Sequence, residues 1–186
     1  MFETENGTCA EISPPAVNKA KAGGPYNSNF AASVTINRPA EDLYAFWSNF
    51  TNLPRVMENV QSVTKLPDGR THWVVQGPNG PLNWDAEVVE DTPNRRLVWR
   101  SVGDADIDNA GQIEFTPAPD GRGTEVRALI SFKAPLGAAG RLIAAALERD
   151  PHIQARRDLR RLKQLMETGE VSTALGSSPT AKHPKS

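Results

Sequence analysis

Residues that could act as nucleophiles, acids or metal ligands are few and widely spaced in this sequence. Cys9 is the single cysteine, which excludes an internal disulfide and a cysteine cluster for zinc or iron–sulfur. The histidines are His72, His152 and His183, and His72 precedes Trp73 on a predicted strand, so their side chains point to opposite faces. A strand histidine of this kind is typical of a surface or pair-forming residue. We therefore expect no cysteine–histidine nucleophile.

Three aspartates at alternate positions, Asp104, Asp106 and Asp108, superficially resemble a calcium loop. An EF-hand loop needs glycine at its position 6 and a bidentate glutamate at its position 12. Counted from Asp104, those positions hold Asn109 and Phe115. The pattern fails this test, and a solvated loop is the better interpretation. We expect neither a metal site nor a bound cofactor.

The four tryptophans, Trp47, Trp73, Trp84 and Trp99, allow two compatible interpretations. Large aromatic side chains dominate the packing of a small core. They also form the surface on which an apolar ligand or ring system would stack. Met57 also allows two interpretations: it could gate the entrance to a cavity, or it could fill space in the core as an adaptable side chain.

Polar residues beside the apolar stripes would have to supply any acid–base chemistry. Alternation places Asn83 and Asp85 opposite Trp84, and Arg100 opposite its tryptophan neighbour, so these groups face water if the tryptophans face inward. A strand bulge could reverse a face. Tyr44, alone on a helix, is most simply a core residue. This arrangement argues against a rich catalytic site.

The period of the apolar residues divides the chain into one strand, two helices, six strands and a long helix. Helical spacing links Leu43, Phe46, Trp47 and Phe50, and a second short helix restarts at 51–54. The strand ranges, delimited by proline- and glycine-containing turns, are 30–36, 59–66, 71–76, 82–91, 96–102, 111–116 and 125–133. Short spacing between consecutive strands favours an antiparallel meander.

Two helical segments end the ordered part of the sequence. Residues 136–147 form an alanine- and glycine-rich segment, and Pro151 marks a break. Beyond the break, one apolar stripe contains Ala155, Leu159, Leu162 and Met166, and Gly169 is a candidate C-cap. An amphipathic sheet needs a covering layer, and the last helix is the best candidate. A twisted sheet around that helix can leave a pocket between them.

Composition limits the class of protein and its partners. The 186 residues are 38% hydrophobic and carry a net charge of −1, which gives no electrostatic footprint for nucleic acid. The sequence pI is about 6.3. Residues 1–28 and 170–186 are polar and are predicted to be disordered tails flanking one domain at 29–169. No apolar run reaches the length of a transmembrane helix, and we expect a cytoplasmic protein.

A basic run lies on the last helix and is interrupted by Asp158. On a helix with an apolar stripe, such charges usually form the solvated face. A surface for acidic lipid or RNA is one alternative, and complementarity with residues 81–125, which hold ten acidic residues and four arginines, is another. The basic residues are Arg156, Arg157, Arg160, Arg161 and Lys163.

Five stretches of the sequence resemble, in the same order along the chain, the bacterial polyketide cyclase/dehydrase-like branch of the START-like (SRPBCC, helix-grip) superfamily. They are VTINRPAEDLYAFWSNFTNLPRVMENVQSV, HWVVQGP, NWDAEVVEDTPNRRLVWRS, DNAGQIEF and DLRRLKQLMETGE, and together they cover about residues 30–170. The resemblance implies an α+β helix-grip fold. In it, a curved antiparallel sheet of about seven strands wraps a long C-terminal helix around an apolar cavity. Relatives include aromatase/cyclases, coenzyme-Q-binding proteins, plant hormone-binding proteins and an Hsp90-activating domain, so the resemblance assigns no catalytic residue.

Three functions remain open. The first is binding of a hydrophobic small molecule, such as a lipid, an isoprenoid or quinone, or a polyketide-like aromatic. The second is an aromatase/cyclase- or dehydratase-like enzyme, which requires an ionisable group in the cavity, and the third is a protein-interaction module. The residues predicted to line a ligand cavity are Trp47, Met57, Trp73, Trp84, Trp99, Phe115, Ile130 and Leu159.

Overall fold

A single antiparallel sheet of seven strands forms most of the molecule. The computed structural model describes residues 27–77, 79–133 and 151–171. The strands are β1 (Asn27–Ile36), β2 (Val60–Lys65), β3 (Thr71–Gly77), β4 (Gly80–Thr92), β5 (Arg96–Val102), β6 (Asp108–Pro117) and β7 (Thr124–Lys133). Their order across the curved sheet is β1-β7-β6-β5-β4-β3-β2, so β2 to β7 form a meander and β1 pairs with its last strand.

Two helical elements follow β1, as predicted. Helix α1 (Ala40–Ser48) begins after Pro39. The acidic side chains of Glu41 and Asp42 lie in its first turn, where the positive end of the helix dipole stabilises them. It buries Leu43 and Trp47 completely. The second element, Phe50–Arg55, is a 3₁₀ helix.

The last helix, α2 (Pro151–Thr168), covers the concave face of the sheet. Ala155, Leu159 and Leu162 of the predicted stripe are buried. In the last turn Leu165 is buried, and the predicted Met166 is only half-buried against the core. Gly169 ends the helix with φ +81°, and its N–H donates to the Leu165 carbonyl at 2.8 Å, as a C-cap requires.

The C-terminal end of α2 is fixed to the turn that connects β1 to α1. Glu167 Oε1 accepts hydrogen bonds from the Asn37 backbone N–H and from Lys163 Nζ, both at 2.7 Å. Arg38 Nε donates to the Met166 carbonyl at 2.6 Å. The contacts of Glu167 with Asn37 and of Met166 with Arg38 join residues 130 and 128 positions apart in the sequence, and they set the position of α2 across the sheet.

Two sequence expectations change at this level. Alternation along β4 predicts Val88 on the same face as Trp84 and Ala86, but Val88 is 46% exposed, because the β4–β5 register shifts between Val88 and Glu90. Strands β1 and β6 begin at Asn27 and Asp108, each three residues earlier than predicted. The predicted helix at 136–147 lies outside the described residues, as do the predicted tails except at residues 27, 28, 170 and 171.

Candidate functional site

A cavity of about 320 Å³ lies between the concave face of the sheet and α2. Its size is at the lower end of the range typical of small-molecule pockets. Aromatic and aliphatic side chains form most of its wall. The described lining residues are Trp47, Met57, Asn59, Val60, Trp73, Val75, Trp84, Trp99, Ile107, Asn109, Ala128, Ile130, Phe132, Gln154, Ala155, Asp158 and Leu159.

Five aromatic rings form a continuous chain beside the cavity. Trp84 and Trp73 are cross-strand partners with nearly parallel rings, 6.0 Å between centroids and 10° between planes. Phe50 follows at 5.5 Å from Trp73 and 5.6 Å from Trp99, and Trp47 ends the chain at 6.5 Å from Trp99. All five side chains are buried in the core, and the four tryptophans among them also line the cavity.

The indole N–H groups contribute little polarity to this wall. Trp73 Nε1 donates to Thr71 Oγ1 at 2.9 Å, and Trp99 Nε1 donates to Asn109 Oδ1 at 3.3 Å. The Nε1 atoms of Trp47 and Trp84 are sealed by surrounding atoms and have no hydrogen-bond partner in the described structure. The tryptophans therefore present ring carbon to the cavity rather than free donors.

The structure brings seven of the eight predicted site residues together in the cavity wall; Phe115 lies elsewhere. Phe115 is buried, and its ring contacts that of Tyr44 edge-on at 6.3 Å. Alternation correctly places Phe115 on the inward face of β6. However, it lies six residues beyond Asn109, or about 20 Å along an extended strand, which takes it past the cavity.

Sequence reasoning missed the polar part of the wall. Asn59, Asn109, Gln154 and Asp158 are the polar residues among the described lining. A helical projection would have found two of them, since positions 154, 155, 158 and 159 share one face of α2. In the sequence, Asp158 stands out only as the negative residue inside a basic run.

Asp158 is the ionisable group in the described part of the cavity wall. Its Oδ1 accepts hydrogen bonds from Gln154 Nε2 at 2.8 Å and from the Glu58 backbone N–H at 3.4 Å. Burial raises the pKa of this carboxyl to about 6, against the two hydrogen bonds and the charge of Arg161, which lower it. Asp158 therefore changes charge close to neutral pH.

The edge of the cavity next to Asp158 is held by ion pairs to Glu58. Arg157 Nη1 lies 3.6 Å from Glu58 Oε2, and Arg161 Nη2 lies 3.4 Å from Glu58 Oε1. The chain immediately after Glu58 enters the cavity wall through Asn59 and Val60. Two of the basic residues on α2 thus pair with Glu58, and not with the acidic segment 81–125 considered above.

The other polar candidates lie away from the cavity. On the outer face of the sheet, His72 Nδ1 is 2.8 Å from Asp85 Oδ1, as expected for a pair-forming histidine. Arg100 pairs with Glu87 at 2.7 Å. Tyr44 packs on Phe115, and its hydroxyl donates to Asp91, which raises the pKa of Tyr44 to about 12.

The described residues contain no cluster of three or more histidine, cysteine or acidic side chains suited to a metal ion. Asp106 instead accepts the backbone N–H of Asn83 at 2.7 Å, which fixes the β5–β6 loop beside β4. Among the helices that the structure describes, none has the length and apolar character needed to cross a bilayer.

Comparison with solved structures shows the same fold in proteins from two bacteria. A protein of Deinococcus radiodurans is 37% identical, with a TM-score of 0.63 over 77% of this chain and 100% of that one. The Zhui aromatase/cyclase of Streptomyces sp. R1128 is 13% identical, with a TM-score of 0.61 over 79% of this chain and 100% of that one. At that identity, the second match shows the fold alone.

A curated relative and a family model place the sequence more narrowly. An uncharacterized 17.2 kDa protein of Streptomyces lincolnensis is 30% identical over 88 residues. The match covers 47% of this chain and 58% of the relative. Residues 28–167 match the family model described as polyketide cyclase/dehydrase and lipid transport. The chain therefore belongs to the polyketide cyclase/dehydrase and lipid transport family.

Proposed function

We propose that this protein binds a hydrophobic small molecule in the cavity between the sheet and α2. The observation that supports this most directly is the cavity wall, in which four tryptophans present ring carbon and the polar atoms are confined to a few positions. Transfer of an apolar molecule from water into such a wall is favourable, at roughly 25 cal/mol for each Å² buried. Lipids, isoprenoids or quinones, and polyketide-like aromatics are the ligand classes with this character.

A cavity-filling substitution tests the proposal. Ala155 lies in the cavity wall on α2, so Ala155→Leu adds carbon atoms to the space that the ligand would occupy. Ala110→Leu is the matched control, since Ala110 lies on β6 outside the described cavity lining. Titration with the neutral fluorescent probe N-phenyl-1-naphthylamine should show saturable binding that Ala155→Leu weakens at least about tenfold and Ala110→Leu leaves unchanged. Absence of saturable binding to the unmodified protein contradicts the proposal.

The natural ligand class can be approached directly. Native mass spectrometry of freshly purified protein, followed by solvent extraction, would identify any molecule that co-purifies. We expect a near-stoichiometric apolar compound that disappears from the Ala155→Leu variant. A compound retained equally by both proteins would bind outside the proposed cavity.

A second candidate function is an aromatase/cyclase- or dehydratase-like reaction. Such an enzyme needs an acid or base in contact with the substrate, and a wholly apolar cavity would have excluded it. Asp158 is a carboxyl in the cavity wall whose pKa of about 6 suits a general base near neutral pH. The description of the family, which names cyclases and dehydrases, adds support.

Carbon-bound proton exchange tests the second candidate without knowledge of the substrate. A base in the cavity would remove a proton next to the carbonyl of a bicyclic ketone such as 2-tetralone, and the carbon would take up deuterium from D2O. We expect mass spectrometry to show faster uptake with the protein than with Asp158→Asn. Equal deuterium uptake with the two proteins would contradict the enzymatic function and would not affect the proposal of ligand binding.

A further inference from the structure

Two neighbouring side chains of α2, Gln154 and Asp158, bring hydrogen-bond acceptors to the described cavity wall. Gln154 and Asp158 lie one helical turn apart on the cavity face of α2. Both hydrogen bonds that Asp158 accepts in the described structure end on Oδ1. Its Oδ2 and the Gln154 Oε1 accept none from a described residue. The structure therefore presents two free acceptor atoms from neighbouring side chains.

Asn59 and Asn109 are the other polar residues of the described wall, and Asn109 Oδ1 already accepts the indole N–H of Trp99. The indole N–H groups of Trp47 and Trp84 are sealed by surrounding atoms, and that of Trp73 is occupied by Thr71. The side-chain amide of Gln154 donates a hydrogen bond to Asp158. A ligand that brings its own donor would satisfy the acceptors, whereas one with only acceptor atoms would leave them without partners.

Charged groups around Asp158 come from two elements. Glu58, in the connection between the 3₁₀ helix and β2, adds negative charge, while Arg157 and Arg161 of α2 bind Glu58. The strands contribute no charged side chain to the described wall. Both arginines are paired with Glu58. A ligand carboxylate at this position would therefore be repelled by the Asp158 carboxylate, and no cation among the described residues would be available to pair with it. This arrangement favours a neutral donor group on the ligand.

We propose that Asp158 and Gln154 form the polar subsite of the cavity and select a neutral ligand that carries a hydroxyl group on an apolar body, such as a phenol or an alcohol. The inference rests on the proposed binding function and specifies its ligand chemistry. The ligand hydroxyl donates to Asp158 Oδ2, and the apolar body lies against the tryptophan rings. A hydrogen bond to a carboxylate is stronger than one between neutral groups, so the hydroxyl is the main determinant of selectivity.

Three probes of similar shape separate the donor from the apolar body. Naphthalene has no polar group, 2-methoxynaphthalene has an acceptor oxygen only, and 2-naphthol has a donor. With the full chain at about pH 8, where Asp158 is ionised, isothermal or fluorescence titration should show 2-naphthol binding at least about tenfold more tightly than the other two probes. Asp158→Asn should reduce this preference to about threefold or less, because the charge is lost while the shape is kept.

Two controls show whether the effect belongs to the subsite. Asp120→Asn changes an exposed carboxylate whose backbone φ of +58° suits asparagine, and it should keep the full preference. Naphthalene affinity reports whether each variant retains the folded cavity. At about pH 5 the preference should narrow in the unmodified protein, because a neutral carboxyl is a weaker acceptor, and should stay constant in Asp158→Asn.

The possible results distinguish the subsite from the cavity function. Equal affinity of the unmodified protein for 2-naphthol and 2-methoxynaphthalene would overturn the inference, and so would a full preference in Asp158→Asn. If naphthalene still bound in either case, the proposed binding function would stand. If none of the three probes bound, the result would contradict both the proposed subsite and the proposed binding function.

Discussion

The indole ring of Trp99 on β5 occupies the space in which a side chain at position 111 of β6 would begin. The two residues are direct cross-strand partners, and a Cβ at Gly111 would lie 2.1 Å from Trp99 Cζ2. Atoms that are not bonded cannot approach this closely. Glycine at 111 is thus a condition for the inward orientation of Trp99, which in turn contacts Phe50 and Trp47 in the aromatic chain.

Gly111→Ala is therefore expected to destabilise the fold by about 2 to 4 kcal/mol, through overpacking and displacement of the indole. Chemical denaturation measures the loss. Trp99→Leu in the same background should restore part of the stability, because the smaller side chain vacates the space that the new methyl group needs. Non-additivity of the two substitutions is the specific signature, and simple addition of their effects would show that they do not act on the same contact.

The half-buried carboxyl of Asp158 should reduce stability at neutral pH. Its folded-state pKa is raised, so the native state binds more protons than the unfolded state between about pH 4 and 6, and stability falls as the pH rises through that window. Asp158→Asn should raise the free energy of unfolding by about 1 to 2 kcal/mol at about pH 8, with the difference narrowing towards zero at about pH 4. Urea denaturation at several pH values would measure it.

Asp120→Asn is the matched control and should change stability little at any of these pH values, because Asp120 is exposed. If Asp158→Asn gave a constant difference at all pH values, its effect would come from packing and not from ionisation.

Glu167 should act in the opposite direction. Its hydrogen bonds to the Asn37 backbone N–H and to Lys163 hold the pKa of this carboxyl below its usual value, so its stabilising contribution is present at neutral pH and is lost as the pH falls through the folded-state pKa. Glu167→Gln should cost about 1 kcal/mol at neutral pH, an amount limited by partial exposure, and less in acid. Glu170→Gln, an exposed change just beyond α2, should have little effect; a similar loss in both variants would contradict a specific role for Glu167.

Phe50 should be essential to the aromatic chain because it contacts both Trp73 and Trp99. Phe50→Ala should cost about 3 to 5 kcal/mol and alter the near-ultraviolet circular dichroism of the tryptophans. Phe46→Ala, at a half-buried position where the ring lies under Arg55, is the matched comparison and should cost clearly less. Equal losses of unfolding free energy at the two positions would show that the contacts of the five-ring chain do not stabilise the core more than other aromatic contacts.

The sequence was informative about the elements because their signals are local. Proline and glycine in the turns, together with the period of 2 or of 3.6, located all seven strands and the described helices to within a few residues. The same alternation placed Asp85 opposite Trp84 and Arg100 opposite Trp99. Because the structure buries the tryptophans, the two polar residues lie on the outer face, as that alternation requires. The meander followed from the short connections.

Membership of the cavity was decided by the tertiary structure. Phe115 shares its face of β6 with Asn109, yet only Asn109 reaches the cavity, since the position of α2 is set by contacts of Glu167 and Arg38 with residues distant in sequence. Asp158 appears in the sequence as one charge among many. Its burial, raised pKa and free acceptor atom exist only because α2 packs against the connection that carries Glu58. A residue's face follows from local periodicity, but its solvation depends on which distant segment covers it.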